Sequence, residues 1–309
     1  TADDLAAHVS PGDVLVIHDP QPLGAGALLR RRMDIAAIWR CHIGLDKTTS
    51  QTQTAWDFLG QWLPAYDHTV FTAPEYIPAS LAGRASIIHP SIDPLSAKNR
   101  DLPVHKLVGI LANGGMLRPS GPGLQPDGTW LPATEPEDFG LLFRPVITQV
   151  SRWDRLKGWL PLLEGFAQMK RRLGNGGADS LDPVSKRSLE LVRLAFAGPD
   201  PASVADDPEG LDTIQDIIAA FQALDPEIQK DVGIFSLPMA SRRENALIVN
   251  ALQRCSDIVV QNSLQEGFGL TVTEAMWKRS AVLASSAAGI RQQIRQDLDG
   301  HLVHDAENP

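Results

Sequence analysis

Cysteine is scarce in this sequence: Cys41 and Cys255 are the only two in 309 residues, and they lie far apart. That usage fits a reducing compartment in which neither is bridged. Long apolar runs are missing too. Stretches such as LVGILA fall well short of the roughly 20 residues that span a bilayer, so no membrane-spanning helix is expected. Basic charge is not in excess. A net charge of −9 and a pI near 5.3 argue against a nucleic-acid surface, though not against local basic clusters. The opening TADDLAAHV has neither a basic-then-apolar leader nor an initiator Met; a cytoplasmic protein, trimmed from a longer chain, is expected. No His-x-x-His or Cys-x-x-Cys spacing marks a metal site. No Gly-x-Gly-x-x-Gly follows a predicted strand, which ranks a dinucleotide-dependent dehydrogenase last.

What is present is enough for a globule with a real core: hydrophobic residues make up 43% of the chain and charged residues 21%. The length suits one large domain or two of ordinary size. Short β-branched runs alternate with longer amphipathic stretches. Strands are predicted over 13–20, 34–43, 69–76 and 85–94, with a helix over 51–66. After a break, strands are predicted over 144–153, 191–198, 231–238, 257–263, 281–286 and 301–305, and helices over 156–173 and 210–224. This rhythm predicts parallel sheets covered by helices. The stretch 94–145 is crowded with Gly and Pro and reads as linker and irregular loop with no long element. The segment 174–190 reads as a loop insertion, and the NGG strings at 113–115 and 175–177 as turns. The expectation is an α/β protein of two Rossmann-like lobes, 1–145 and 146–309, whose facing strand ends form a cleft. In open parallel sheets ligands sit at the carboxyl ends of strands, and nearly every unusual cluster here falls at such an end.

The first cluster is QEGFGLTVTEAMWK, residues 265–278, between a predicted strand and a predicted helix. Gly267 and Gly269 let backbone approach a ligand closely. The N–H groups at the helix start attract an anion. A carboxylate beside that anion would repel phosphate, so Glu266 is assigned to another partner, for which sugar hydroxyls are good candidates. Glu274, eight residues on, suits a second pair of hydroxyls such as a ribose diol. The alternative is an ordinary strand–helix turn with solvated glutamates. In QVSRWDRLKGW, Arg152 and Lys157 follow a strand five residues apart. An Arg fork and a Lys point charge can neutralise a diphosphate between them; the alternative is two solvated surface bases. In VIHDPQP and IWRCHIG, His18 and His42 each end a strand. Asp19 suits a hydrogen bond to a sugar hydroxyl, and His42 a donor to one; the alternative is a pair of structural histidines. Trp39, Trp153 and Trp277 read as core or wall residues.

Taken in order, these strings resemble the retaining glycosyltransferases of family four, which have the two-lobed GT-B fold. EGFGLTVTEAM is similar to that family's E-x7-E signature, and VSRWDRLKG to its Arg and Lys phosphate motif. VIHDPQP, WRCHI, HPSIDPLSAKN, QVSRWDRLKGW and GFGLTVTEAMWK look like the trehalose-forming branch: nucleotide-sugar-dependent trehalose synthases and the related retaining trehalose phosphorylases. The similarity runs from about residue 11 to the end. Members carry further sequence before the first strand, including a glycine-rich loop that faces the acceptor, and continue past DAENP. The branch often has Asp where Gly44 stands.

The resemblance implies a retaining glucosyltransferase that moves glucose from a nucleotide-glucose donor to a glucose acceptor, forming trehalose. Arg152 and Lys157 would hold the diphosphate, assisted by the backbone of Gly267, Phe268, Gly269 and Leu270. Glu266 would bind the donor glucose and Glu274 the ribose. His18, Asp19, Gln21, Arg40 and His42 would lie on the acceptor and sugar side, with Asp19 and His42 contacting the glucose in transfer. Retention in glycosidases uses a carboxylate nucleophile. Neither glutamate is placed for that if both bind hydroxyls, so the leaving phosphate would take the acceptor's proton on the same face. No tightly bound cofactor and no metal ligands are expected, beyond a Mg2+ ion accompanying the diphosphate. The branch also implies a homodimer. A trehalose phosphorylase using inorganic phosphate, and a nucleotide-sugar-binding module without turnover, are the alternatives.

Overall fold

The computed structural model of the chain describes residues 1–117, 123–124, 130–131, 139–177, 179–203 and 208–308. By its contacts the chain divides into two compact units. One is Thr1–Ser91 with Gln265–Gly269 and Ala287–Gln292; the other is Ile92–Leu264, Leu270–Ser286 and Gln293–Pro309.

The first unit opens with a short helix, α1 (Ala2–Ala6), and holds four parallel strands side by side: β1 (Val14–His18), β2 (Ala36–Cys41), β3 (His68–Phe71) and β4 (Ala85–Ile87). Successive strand residues point to opposite faces, and the sequence uses this. Ile17, Ala37, Trp39, Cys41 and Phe71 turn inward and are buried with Leu23 and Ala27 of α2 (Leu23–Arg32). Trp56 and Leu59 of α3 (Ser50–Gly60) pack against the same cluster. Val14 and Val16, on the other face of β1, are 62% and 46% exposed. The short helix α11 (Ala288–Arg291) belongs to this unit and contributes Ala288 to its core. The strand predicted over 69–76 stops at Phe71, and Pro74–Tyr76 forms a 3-10 turn instead.

The second unit begins with α4 (Val104–Asn113) and a two-residue antiparallel pair, β5 (Gly123–Leu124) and β6 (Trp130–Leu131). In chain order there follow β7 (Val146–Val150), α5 (Trp159–Gly174), α6 (Pro183–Leu191), β8 (Arg193–Pro199), α7 (Pro208–Gln222) and α8 (Pro226–Gln229). The rest are β9 (Val232–Leu237), α9 (Arg242–Cys255), β10 (Ile258–Gln261), α10 (Leu270–Trp277), β11 (Ala281–Ser285) and β12 (His301–Val303). Six of these strands form a parallel sheet in the order β12-β11-β10-β7-β8-β9. That is the doubly wound order, in which the chain leaves β7 for one side and returns on the other at β10.

Four expectations are corrected here. The chain divides after Ser91 rather than at 145. The stretch from 94 is not free of long elements: its Gly and Pro flank the amphipathic α4, whose Leu107 and Leu111 are buried with Ile248 and Leu252 of α9. Residues 118–122, 125–129 and 132–138 of that stretch lie outside the described residues. The insertion at 174–190 contains most of α6, which Asp182 caps by accepting from the amides of Val184 and Ser185. Trp39 and Trp153 are core residues, but Trp277 is 53% exposed and is not.

Candidate functional site

The predicted site residues fall into two groups, one in each unit. In the first unit they gather at the carboxyl ends of β1 and β2. His18 Nδ1 and His42 Nε2 share a hydrogen bond of 2.7 Å, and the two rings stack at 5.0 Å with 10° between their planes. Asp19 follows β1 with φ at +64°, a left-handed conformation unusual for a non-glycine residue. Two bonds hold it there. Its Oδ1 accepts from the His42 amide at 2.9 Å, and its carbonyl accepts from Trp39 Nε1 at 2.9 Å. Arg40 is 8% exposed; its Nη2 donates to the Ile88 carbonyl at 2.6 Å, while Nη1 is buried without a partner. Burial holds the Arg40 guanidinium below its ordinary pKa. Burial, and then the neighbouring Arg40, depress the His42 imidazole, so the neutral ring is favoured. Burial pushes the Cys41 thiol up to about 12; neither Cys41 nor Cys255 is bridged. Gln21 is exposed in the turn between β1 and α2.

The loop Gln265–Gly269 belongs to this same unit, so it is brought to the histidine pair. A Cβ built on Gly267 would stand 3.5 Å from the His42 carbonyl. Phe268 stacks on His89 at 5.9 Å. The Gly289 amide donates to the Glu266 carbonyl at 3.2 Å. A Cβ at Gly289 would meet the Gly267 carbonyl at 2.5 Å and the Phe268 Cα at 2.3 Å, so only glycine lets α11 lie this close to the loop. Arg291 bridges Asp46 at 2.8 Å and Glu75 at 3.2 Å. Tyr76, Gly289 and Arg291 carry no motif and were not legible as site neighbours in the sequence; His89 opens the string HPSIDPLSAKN but was not marked as one.

In the second unit, the carboxyl ends of β7 and β10 flank the point where strand order reverses, the usual ligand position in this sheet type. Arg152 and Lys157 come just after β7. Between them Trp153 is buried, donating from Nε1 to the Pro199 carbonyl at 2.7 Å. Trp159 donates to the Arg152 carbonyl at 3.3 Å. Buried tryptophans thus pin a short loop that carries the two bases. Arg152 is exposed and 3.8 Å from Asp154; Lys157 ends the 3-10 turn Arg155–Lys157, and its carbonyl accepts from Gln149 Nε2 at 2.9 Å. The next residue, Gly158, has φ +63° and no room for a Cβ, which would stand 2.1 Å from the Asn262 carbonyl. That is why the predicted helix at 156 begins at Trp159. Leu270 starts α10 and is 38% exposed. Glu274, one turn on, is 4% exposed. Its Oε1 pairs with Lys98 Nζ at 2.9 Å, and its Oε2 is buried without a partner. Lys98 lies in the string HPSIDPLSAKN, which the residue patterns alone did not mark. Among the described residues no three His, Cys, Asp or Glu side chains converge as a metal would require, and no helix is long and apolar enough to cross a membrane.

Solved structures share this fold. A UDP-forming trehalose-phosphate synthase from Burkholderia xenovorans, in complex with glucose-6-phosphate, covers 99% of this chain and 65% of its own, at 16% identity and a TM-score of 0.67. The E. coli structure described as bound with UDP-2-fluoro glucose covers 93% and 62%, at a TM-score of 0.64. The chain has the GT-B fold. The sequence narrows this. Residues 1–78 match the family described as the trehalose synthase N-terminal domain, and residues 237–309 the one described as glycosyl transferases group 1. The trehalose synthase of Pyrococcus horikoshii is 32% identical over 96% of this chain, and that of Rubrobacter xylanophilus 32% over 95%. The trehalose phosphorylase of Pleurotus sajor-caju is 26% identical over 97%. The chain spans 59%, 58% and 39% of the length of these relatives, respectively. It is similar to both the trehalose synthases and the trehalose phosphorylases.

Proposed function

We propose that the chain is a retaining glucosyltransferase of trehalose metabolism, taking glucose from a nucleotide-glucose and passing it to glucose. The observation that carries this reading lies in the second unit: two bases on a pinned loop after β7, beside the switch point, where the Leu264 amide that follows β10 donates to the Leu156 carbonyl at 2.7 Å. In the proposal Arg152 and Lys157 neutralise the donor's diphosphate as it leaves, with the backbone of Gly267, Phe268, Gly269 and Leu270 at the helix start. Glu266 receives hydroxyls of the donor glucose, and Glu274 those of the ribose. His42 and Asp19 contact the glucose in transfer, with His18, Gln21 and Arg40 on the same side. Asp19 spends one oxygen on the His42 amide, so its part is to fix His42 as much as to meet sugar. The leaving phosphate takes the acceptor's proton on the face it departs from, which retains configuration without a carboxylate nucleophile. A Mg2+ ion would be held by the diphosphate itself, and two copies of the chain would associate as a homodimer.

One observation favours the phosphorylase reading. Glu274 is closed in, with Lys98 on one oxygen and almost no exposed surface, and a ribose needs that carboxylate open. The two readings separate in one assay. UDP-, ADP- and GDP-glucose are each offered with glucose and trehalose is measured; in parallel, trehalose and inorganic phosphate are offered and glucose 1-phosphate is measured. Trehalose from a nucleotide-glucose is expected. Glucose 1-phosphate alone would replace the proposal by the phosphorylase, and donor binding with no product by a binding module.

A further inference from the structure

The loop Glu266–Gly269 is held from behind by a side chain outside every motif. Tyr76 closes the turn Pro74–Tyr76 and is 2% exposed. Its hydroxyl donates, as a shared proton, to the Glu266 carbonyl at 3.1 Å and the Gly267 carbonyl at 3.0 Å. The Gly289 amide reaches the same Glu266 carbonyl at 3.2 Å. In a trans peptide the C=O and N–H point in opposite directions. Two successive carbonyls turned toward Tyr76 therefore turn the N–H groups of Gly267 and Phe268 to the opposite side of the loop.

The seat is shaped for this ring. A Cβ at Gly44 would stand 2.2 Å from Tyr76 Cγ and 2.6 Å from Tyr76 Cβ, so any side chain at 44 would displace it. The neighbouring Glu75 is tied to Arg291 at 3.2 Å and to Gln292 Nε2 at 2.6 Å, which anchors the turn to α11. Burial first, then the nearby Asp46, Glu75 and Glu266, push the phenol up to about 12, so it remains a donor at neutral pH.

We infer that Tyr76 is a positioning residue: its hydroxyl sets the peptide planes of the Glu266–Phe268 loop so that their N–H groups face a phosphate. The inference rests on the nucleotide-sugar reading and adds the group that aims its backbone donors. Tyr76→Phe keeps the ring on Gly44 and removes only the hydroxyl. Calorimetry compares UDP, ADP and GDP with their own nucleosides on wild type and variant. The diphosphate that wild type binds best should lose about three- to tenfold in affinity, the worth of one hydrogen bond, while its nucleoside loses nothing. Gly44→Ala, which displaces the ring, should give the same split with at least as large a loss. Equal losses for diphosphate and nucleoside, or a lower Tm with both affinities intact, would overturn the inference and leave Tyr76 a brace. A wild-type protein that binds no diphosphate better than its nucleoside would overturn the nucleotide reading itself, a result read before any variant is made.

Discussion

His42 shows how far a single residue constrains the chemistry. It lies between a second histidine and a buried arginine, with the Asp19 carboxylate on its amide. Protonating it would place a charge beside Arg40 and break one polarity of the His18 bond. Its pKa is depressed, so its neutral form persists below the ordinary 6.5, and turnover should hold as pH falls through that value. An acid limb rising at or above that value in the His42-dependent rate would contradict the placement. His42→Ala should cut turnover by about 10²-fold, the loss of one group acting mainly in the transition state, and leave nucleotide affinity near wild type. Single-turnover rate and Tm on one preparation separate this from a histidine that merely braces its loop: a brace lowers Tm and spares the rate per folded molecule. At the other site, Arg152→Ala with Lys157→Ala should abolish binding of the nucleoside diphosphate and leave the fold intact. The bonds of Trp153 and Trp159 that pin the loop are kept in this variant, and calorimetry beside a melting curve shows whether both halves of that statement hold.

Helix α10 joins the site to the core through its charges. Lys278, just past its end, is 7% exposed; its Nζ donates to Asn99 Oδ1 at 3.0 Å and to the Glu274 carbonyl at 3.2 Å. Burial depresses this ammonium from 10.5 to about 8, against the pull of Glu274 and with Lys98 and Arg254 adding to the drop. A cation with a lower pKa folded than unfolded costs stability below the folded value. Between about 8 and 10.5 the unfolded chain holds the extra proton, so stability rises with pH across that window. Denaturant unfolding of wild type and Lys278→Met at about pH 7.5 and about pH 10 should show wild type gaining on the variant as pH rises, by an amount on the order of 3 kcal/mol or less. A difference independent of pH would mean that the ammonium is solvated. Elements such as α10 were legible in outline because LTVTEAMW follows a glycine turn. The missed elements share one cause. α4 hides between prolines and glycines, and α6 and α9 are too rich in charge for their apolar faces to stand out, until packing against neighbours selects those faces.

At the scale of the whole molecule, the strand rhythm forecast both parallel sheets, and the strings at strand ends forecast the class. What the sequence could not disclose is contact between distant residues. Nothing in EGFG says that its carbonyls meet Tyr76, some 190 residues earlier; nothing in TEAM says that Lys98 takes one oxygen of Glu274. Nor could composition show that residues 265–269 and 287–292 would pack with the first unit rather than the second. The claim that unites both groups of residues is glucosyl transfer with retention from a nucleotide donor. Proton NMR of the products formed from nucleotide-glucose and glucose tests it most directly. The expected spectrum shows α,α-linked trehalose, with the donor's anomeric configuration kept. A β-linked product would contradict the assignment of Arg152, Lys157 and the leaving phosphate to the same face, and with it the mechanism.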